Sequence, residues 1–202
     1  YYKVVQATDV TWKDALTQAE SGKYLSAEAN GYLATITSKE ENDFIVSICQ
    51  ADSWLGATCD PAVTGKDSCF NESHKALDYY YACGPEKGLL MSSCKTTGAY
   101  AVPTDFVMGK YEDTVNPENS WDLTEFNNWA ISDTVNQEPN FNYGTEMYLC
   151  MYKNPPLYPS WQVGGMWNDY ANNTDCIDSY IIEYGGTGFA VNETESKQEV
   201  VV

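Results

Sequence analysis

The sequence predicts an α+β fold, and three observations carry this prediction. Two amphipathic helix patterns lie before residue 50, short strand patterns recur as far as residue 184, and a cysteine-rich stretch separates the two groups. The chain has 202 residues, of which 43% are hydrophobic and 14% aromatic, as in a protein with a packed core. This length suits one domain.

Both predicted helices begin at a capping residue. Thr11 and Asp14 form a T-x-x-D pattern that places an acid in the positive first turn, and residues 38–41 (S-K-E-E) form a capping box. The spacing of the apolar residues then predicts one inward face on each helix. These faces contain Trp12, Ala15, Leu16 and Ala19 in the first helix, and Phe44, Ile45, Ile48 and Cys49 in the second.

Short runs of apolar and β-branched residues predict the strands. They are residues 2–6, 32–36, 54–57, 146–152, 165–168 and 179–184. Between about residues 58 and 124 this pattern fades, and Gly, Pro, Asp, Ser and four cysteines (Cys59, Cys69, Cys83, Cys94) replace it. We interpret this stretch as an inserted subdomain or a very long loop, stapled by disulfides and given a small core of its own by residues 79–81 (Y-Y-Y).

The charge balance limits the partners. The chain has 29 acidic residues against 11 basic ones, every basic residue is a lysine, and the net charge is −18. Nucleic-acid binding relies heavily on arginine and on positive charge, so we exclude it. An acidic chain is suited to divalent cations, although the charge could also serve solubility alone. No apolar run is long enough to insert into a membrane.

The cysteines and sequons indicate an oxidising compartment. Seven cysteines occur without a C-x-x-C pair, and the chain has one histidine, His74, so we do not expect a zinc site. We expect His74 to be a surface residue of the insertion. N-x-S/T sequons at Asn71, Asn172 and Asn192 are typical of a secreted glycoprotein. We therefore expect a mature, extracellular protein.

One set of oxygen-bearing side chains indicates a metal site. Glu138, Asn140, Glu146, Asn168 and Asp169 together offer three carboxylates and two amide oxygens. Calcium binds six to eight such oxygens. A cis bond at Pro139, affordable only before proline, would turn the side chains on both sides of it toward one point.

Three motifs resemble the calcium-dependent sugar site of C-type lectins. They are E-P-N at residues 138–140, a glutamate eight residues after Glu138, and W-N-D at residues 167–169. Residues 11–15, 31–42 and 54–56 resemble the opening of that family, and residues 84–88 and 180–186 its bacterial and protist branch. The resemblance implies a fold of two helices and two small antiparallel sheets. It also implies a single lectin-like domain over residues 1–186 with the insertion at about 58–124, followed by a C-terminal tail, 187–202.

The resemblance further implies that one Ca²⁺ is held by Glu138, Asn140, Glu146, Asn168 and Asp169, and that these same residues bind a sugar with equatorial vicinal hydroxyls, of the mannose, glucose or fucose type. It implies a Cys150–Cys176 disulfide. Phe141 and Met147 replace the acidic residues of an auxiliary calcium site, so we expect no second ion there. Cys49 is our candidate for a buried free thiol, and Trp167 for a core residue rather than a sugar platform.

Two functions remain open from the sequence. The first is a secreted lectin, not an enzyme, whose partners are glycans, with a possible homo-oligomer or larger extracellular assembly. The alternative is a cell-adhesion or assembly module in which calcium is structural and the partner is a protein. Competition by free monosaccharide separates the two.

Overall fold

The structure is a computed structural model that describes residues 1–22, 30–72, 76–95, 105–107, 109–111, 121–123, 126–130, 138–153, 164–173 and 177–185. The helices are α1 (Trp12–Ser21), α2 (Lys39–Ile48) and the short α3 (Pro61–Thr64). The strands are β1 (Tyr2–Gln6), β2 (Tyr32–Leu33), β3 (Ser53–Thr58), β4 (Phe70–Asn71), β5 (Ala76–Tyr81), β6 (Leu90–Lys95), β7 (Asp105–Val107), β8 (Gly109–Tyr111), β9 (Trp121–Leu123), β10 (Tyr148–Met151), β11 (Trp167–Tyr170) and β12 (Ser179–Glu183). These elements confirm the predicted α+β class.

Both long helices begin where the capping residues predict. The Thr11 side chain accepts a hydrogen bond from the Asp14 N–H, and Ser38 accepts one from the Glu41 N–H. Such caps satisfy backbone donors that have no partner inside the helix. One predicted inward residue is wrong: Phe44 is 45% exposed, and its ring contacts that of Tyr2 with 5.7 Å between the centroids.

Ten of the twelve described strands form one branched network, and β8 and β9 pair in a separate two-stranded sheet. Strand β1 pairs antiparallel with β12, and β12 pairs antiparallel with β2 and parallel with β3. Strand β3 also pairs antiparallel with β10 and β5, and β10 pairs with β11. The two small sheets expected from the sequence are therefore joined through β3, which is buried along its whole length.

The insertion contributes strands to this same network. Strand β5 pairs with β3, β4 and β6, and its residues Leu77, Tyr79 and Tyr81 lie in the same core cluster as Ile45 and Leu55. The expected separate core of the insertion is thus wrong in its described part: the side chains of β5 complete the main core.

The cysteines also differ from the expectation. The six described cysteines are all buried free thiols, including Cys49, so the expected disulfide staples are not formed among them. His74, Cys176, Asn192 and the tail lie outside the described residues. Across the described segments, none of the helices combines the length and the apolar character needed to span a membrane.

Candidate metal centre

Two paired strands place three of the five predicted ligands. Strand β11 carries Asn168 and Asp169, and it pairs antiparallel with β10, which Glu146 precedes by two residues. The Met147 N–H donates to the Tyr170 carbonyl at 3.1 Å, so the pairing continues up to Glu146. The sheet therefore brings residues more than 20 positions apart in sequence to one edge.

A loop adds the other two predicted ligands. The Glu138 N–H donates to the Ala130 carbonyl at 2.9 Å, which joins this loop to residues 126–130. The Glu138–Pro139 peptide bond is cis. Asn140 follows, and its N–H donates to Asp169 Oδ1 at 3.0 Å.

Asp169 is the centre of this arrangement. Its side chain is fully buried and accepts three hydrogen bonds, from Asn140 N, from Phe141 N at 2.8 Å and from the Tyr79 hydroxyl at 2.9 Å. Each oxygen of a carboxylate can accept more than one contact. Two of these donors belong to the 138–141 loop, so the carboxylate holds that loop against β11.

Three acceptor atoms of the centre are buried without a hydrogen-bond partner. They are Glu138 Oε2, Asn140 Oδ1 and Asn168 Oδ1. A buried acceptor without a partner costs about 1–3 kcal/mol, so such atoms are rare unless something else occupies their lone pairs. All three belong to the five residues predicted from the sequence, and a cation that binds oxygen would satisfy them together. The residues therefore fit a calcium ion.

The candidate ligands of the centre are a mixture of carboxylates and amides. In the described part of the chain, no three His, Cys, Asp or Glu side chains stand in an arrangement that could hold a metal. The unpartnered oxygens are one carboxylate and two amides, and calcium accepts both kinds of oxygen. A cation at this centre would thus be held by the amide oxygens as much as by the carboxylates.

The electrostatics of the centre also favour a positive ligand. Burial, the Asp169 charge and the Glu146 charge raise the pKa of Glu138 to about 9. Burial and the Asp169 charge raise the pKa of Glu146 to about 7. Burial raises the pKa of Asp169 as well, although the hydrogen bonds from Phe141, Tyr79 and Asn140 oppose the shift. Without a cation, Glu138 therefore keeps at neutral pH a proton that an ordinary glutamate would lose, and Glu146 is partly protonated.

Helix α2 supports the centre from behind. The Trp167 indole N–H donates to Asn42 Oδ1 at 2.8 Å, and the Asn42 amide donates to the Gly165 carbonyl at 3.2 Å. Trp167 is fully buried, so it is a core residue, as predicted. Its hydrogen bond to Asn42 fixes the start of β11 beside Asn168.

The loop between the two glutamates turns through unusual backbone conformations. Phe141 and Tyr143 both have φ of 51°, and the Asn142 N–H donates to Glu146 Oε2 at 3.3 Å. Left-handed conformations are uncommon for residues other than glycine and concentrate at functional sites.

One residue of the centre could not be identified from the sequence. Tyr79 lies in the insertion, 90 positions from the Asp169 that its hydroxyl contacts, and it is fully buried. The Y-Y-Y run was visible as an aromatic cluster, but no spacing relates it to β11. The contact arises because the insertion joins the main sheet.

The Cys150–Cys176 disulfide stays a prediction. Cys150 is a buried thiol on β10, opposite Asn168 on β11. Its expected partner lies outside the described residues.

Comparison with known proteins returns C-type lectins among similar structures. No protein-family model matches the chain. C-type lectin CEL-I from Cucumaria echinata aligns with 91% of this chain and 89% of its own, at 16% identity and a TM-score of 0.47. The cow carbohydrate-recognition domain of CD23, solved in the presence of a GlcNAc2Man3 oligosaccharide, aligns with 90% of this chain and 84% of its own, at 17% identity and a TM-score of 0.45.

A curated sequence relative is halomucin of Haloquadratum walsbyi. It is 28% identical over 202 residues, which is 100% of this chain and 2% of halomucin. The chain thus spans a small fraction of that relative's length.

Proposed function

We propose that this chain is a calcium-dependent carbohydrate-binding domain whose ion is held by Glu138, Asn140, Glu146, Asn168 and Asp169. The observation that carries the proposal is the set of three buried acceptors without a partner, Glu138 Oε2, Asn140 Oδ1 and Asn168 Oδ1, beside the buried Asp169 carboxylate. Their chemistry matches the oxygen ligands of calcium.

The same residues would bind the sugar. A bound calcium ion would supply coordination positions for two vicinal hydroxyls. The amides of Asn140 and Asn168 would donate hydrogen bonds to those hydroxyls, and the carboxylates of Glu138 and Glu146 would accept from them. We expect mannose-, glucose- or fucose-type sugars, because the E-P-N order fixes which position accepts and which donates. No catalytic step is assigned to these residues.

The wider setting follows from this proposal. We propose that residues 1–186 form one domain of a secreted glycoprotein, and that the domain binds glycans as part of a larger extracellular assembly. The halomucin relation supports a module in a long protein, since 202 residues match 2% of that relative. No second calcium is proposed beside Phe141 and Met147.

The proposal is tested by glycan binding with calcium and with chelator. The wild-type domain should bind mannose-type glycans on an array in calcium and lose them in chelator, and free mannose should compete. Asp169→Ala should lose calcium and sugar binding together, whereas Asp67→Ala, which removes an exposed acid of the α3–β4 loop, should retain both. Calcium binding without competition by any monosaccharide would favour the adhesion module in which calcium is structural.

A further inference from the structure

Two cysteines of the insertion lie together at one edge of β5. Leu77 pairs with Cys94 of β6 and with Phe70 of β4, and Tyr80 pairs with Leu90 of β6 and with Thr58 of β3. Strand β6 therefore occupies one edge of β5, and β3 and β4 share the other. Cys59 directly follows β3 and Cys69 directly precedes β4, so the chain leaves and rejoins the same edge at these two residues.

The contacts show how close the two cysteines are. Cys69 Sγ lies 2.8 Å from the Cys59 carbonyl oxygen. The two side chains are 1% and 4% exposed and belong to the same core cluster. Burial raises the pKa of Cys59, and the neighbouring Cys69 thiol adds to this shift.

Both ends of the connecting segment are held by the fold itself. Asp60, next to Cys59, accepts from the Tyr148 hydroxyl at 2.5 Å and pairs with Lys13 at 2.8 Å. The Asp78 N–H donates to the Cys69 carbonyl at 3.0 Å. The two thiols are therefore brought together by contacts that do not depend on a covalent bond between them.

The other described cysteines have different neighbours. The Cys49 thiol accepts from the Ser53 hydroxyl at 3.7 Å, and the Cys83 thiol donates to the Leu33 carbonyl at 3.3 Å. Cys94 shares the core cluster with the pair, and its thiol contacts Ser92. Among the described cysteines, Cys69 contacts Cys59.

We propose that Cys59 and Cys69, which are free thiols in this structure, form a disulfide on oxidation, and that this bond closes residues 59–69 into a loop at the back of the candidate metal centre. Thiol–disulfide exchange with a small-molecule disulfide gives this bond. The first cysteine thiolate attacks that disulfide, forms a mixed disulfide and releases one small thiol. The second cysteine thiolate then displaces the other small thiol, so two protein thiols are oxidised and one small disulfide is reduced to two thiols.

Burial determines when the bond forms and how it behaves afterwards. Neither thiol is accessible in the folded chain, so oxidation takes place during folding, before the core closes over the sulfur atoms. Once formed, the bond is protected from reductant until this part of the core opens. The bond would also lie beside Tyr79, whose hydroxyl contacts both Cys59 and Asp169.

Peptide mapping of the wild-type chain tests the bond directly. The chain is refolded in a buffer of reduced and oxidised glutathione, its remaining thiols are alkylated in denaturant, and the digest is analysed by mass spectrometry. We expect Cys59 and Cys69 in one cross-linked species and alkylated Cys49 and Cys83. Alkylated Cys59 and Cys69, or a bridge from either one to Cys94, would overturn the proposal.

Thermal unfolding supplies a second measurement. Closing a loop of this length should raise the midpoint of unfolding by about 5–10 °C. Reduction in denaturant followed by refolding with reductant should therefore lower the wild-type midpoint. The Cys59→Ser/Cys69→Ser variant should show a smaller difference by about this amount, because any Cys150–Cys176 bond is reduced in both proteins. A Cys49→Ser control should keep the wild-type difference. An equal midpoint for oxidised and reduced wild type would contradict the proposal, and neither measurement depends on calcium.

Discussion

The hydroxyl of Tyr79 donates to Asp169 Oδ2 at 2.9 Å, and both side chains are fully buried. A strand of the insertion thereby contacts the carboxylate around which the candidate metal centre is built. This hydrogen bond stabilises the charged form of Asp169 and fixes its orientation.

Tyr79→Phe should therefore weaken calcium binding by about 10-fold or more, the usual effect of losing a group that orients a metal ligand. The phenyl ring keeps the packing, and the loss of one buried hydrogen bond should lower stability by about 1 kcal/mol. Calorimetric titration with calcium measures the first effect and thermal unfolding the second.

Tyr81→Phe is the matched control for this substitution. It lies on the same strand and is buried, but its hydroxyl donates to the Ile36 carbonyl at 2.8 Å, away from the centre. We expect a similar small loss of stability with unchanged calcium affinity. An equal loss of affinity in both variants would show that Tyr79 acts on the fold and not on Asp169.

Glu138→Gln should raise the stability of the ion-free protein and weaken calcium binding. The folded-state pKa of Glu138 is about 9, against an ordinary value of 4.5. The folded state therefore binds more protons than the unfolded state in this window, so ion-free stability falls as pH rises from about 4.5 through about 9. Glutamine mimics the protonated form and removes this dependence.

At pH 8 in chelator, Glu138→Gln should accordingly be more stable than wild type by more than about 1 kcal/mol. It should also bind calcium much more weakly, since one carboxylate is lost. Asp67→Asn is the control and should change neither quantity. A variant less stable than wild type in chelator at pH 8 would contradict the account of the Glu138 environment.

Calcium binding should release protons near neutral pH. Glu138, with a pKa of about 9, is protonated in the ion-free protein at pH 7.4, and Glu146, with a pKa of about 7, is partly protonated. Metal ligands must be deprotonated, so about one proton should leave per ion and affinity should rise with pH between about 7 and 9. Titrations in buffers of different ionisation enthalpy measure the release. Heats that do not depend on the buffer would contradict this prediction.

The same competition between protons and calcium should release the glycan as the pH falls toward about 5. Excess calcium should shift the acid transition to lower pH by mass action. Glycan binding is measured against pH at two calcium concentrations, with tryptophan fluorescence to detect unfolding. Superimposed curves would show that protons and calcium do not compete at this centre.

Sugar preference should follow the order of acceptor and donor at the loop. Glu138→Gln combined with Asn140→Asp exchanges these roles while keeping the number of oxygen ligands. We expect preference to move from mannose-type toward galactose-type sugars in monosaccharide competition. The single substitution Asn140→Asp should weaken binding without this shift. Unchanged preference in the double variant would place sugar binding elsewhere.

The sequence predicted the local elements well and the long-range ones poorly. Thr11 and Ser38 identify the helix starts because capping is a local interaction, and the oxygen-bearing residues of the centre were visible from residue type and order. Phe44 was misplaced because helical spacing does not reveal which part of an apolar face the rest of the chain covers, and Phe44 stays 45% exposed. Tyr79 was missed because its role depends on the insertion joining the main sheet, which strand spacing alone cannot show.

The most direct test of the account is thermal unfolding of Asn168→Leu with calcium and with chelator. Asn168 is 5% exposed and its Oδ1 has no hydrogen-bond partner, so the ion-free protein should gain about 1 kcal/mol when a similar apolar side chain replaces it. Calcium at 100 times its dissociation constant should stabilise the wild type by about 2.7 kcal/mol and the variant hardly at all. A variant that is stabilised by calcium as strongly as wild type would show that the ion binds somewhere other than these residues.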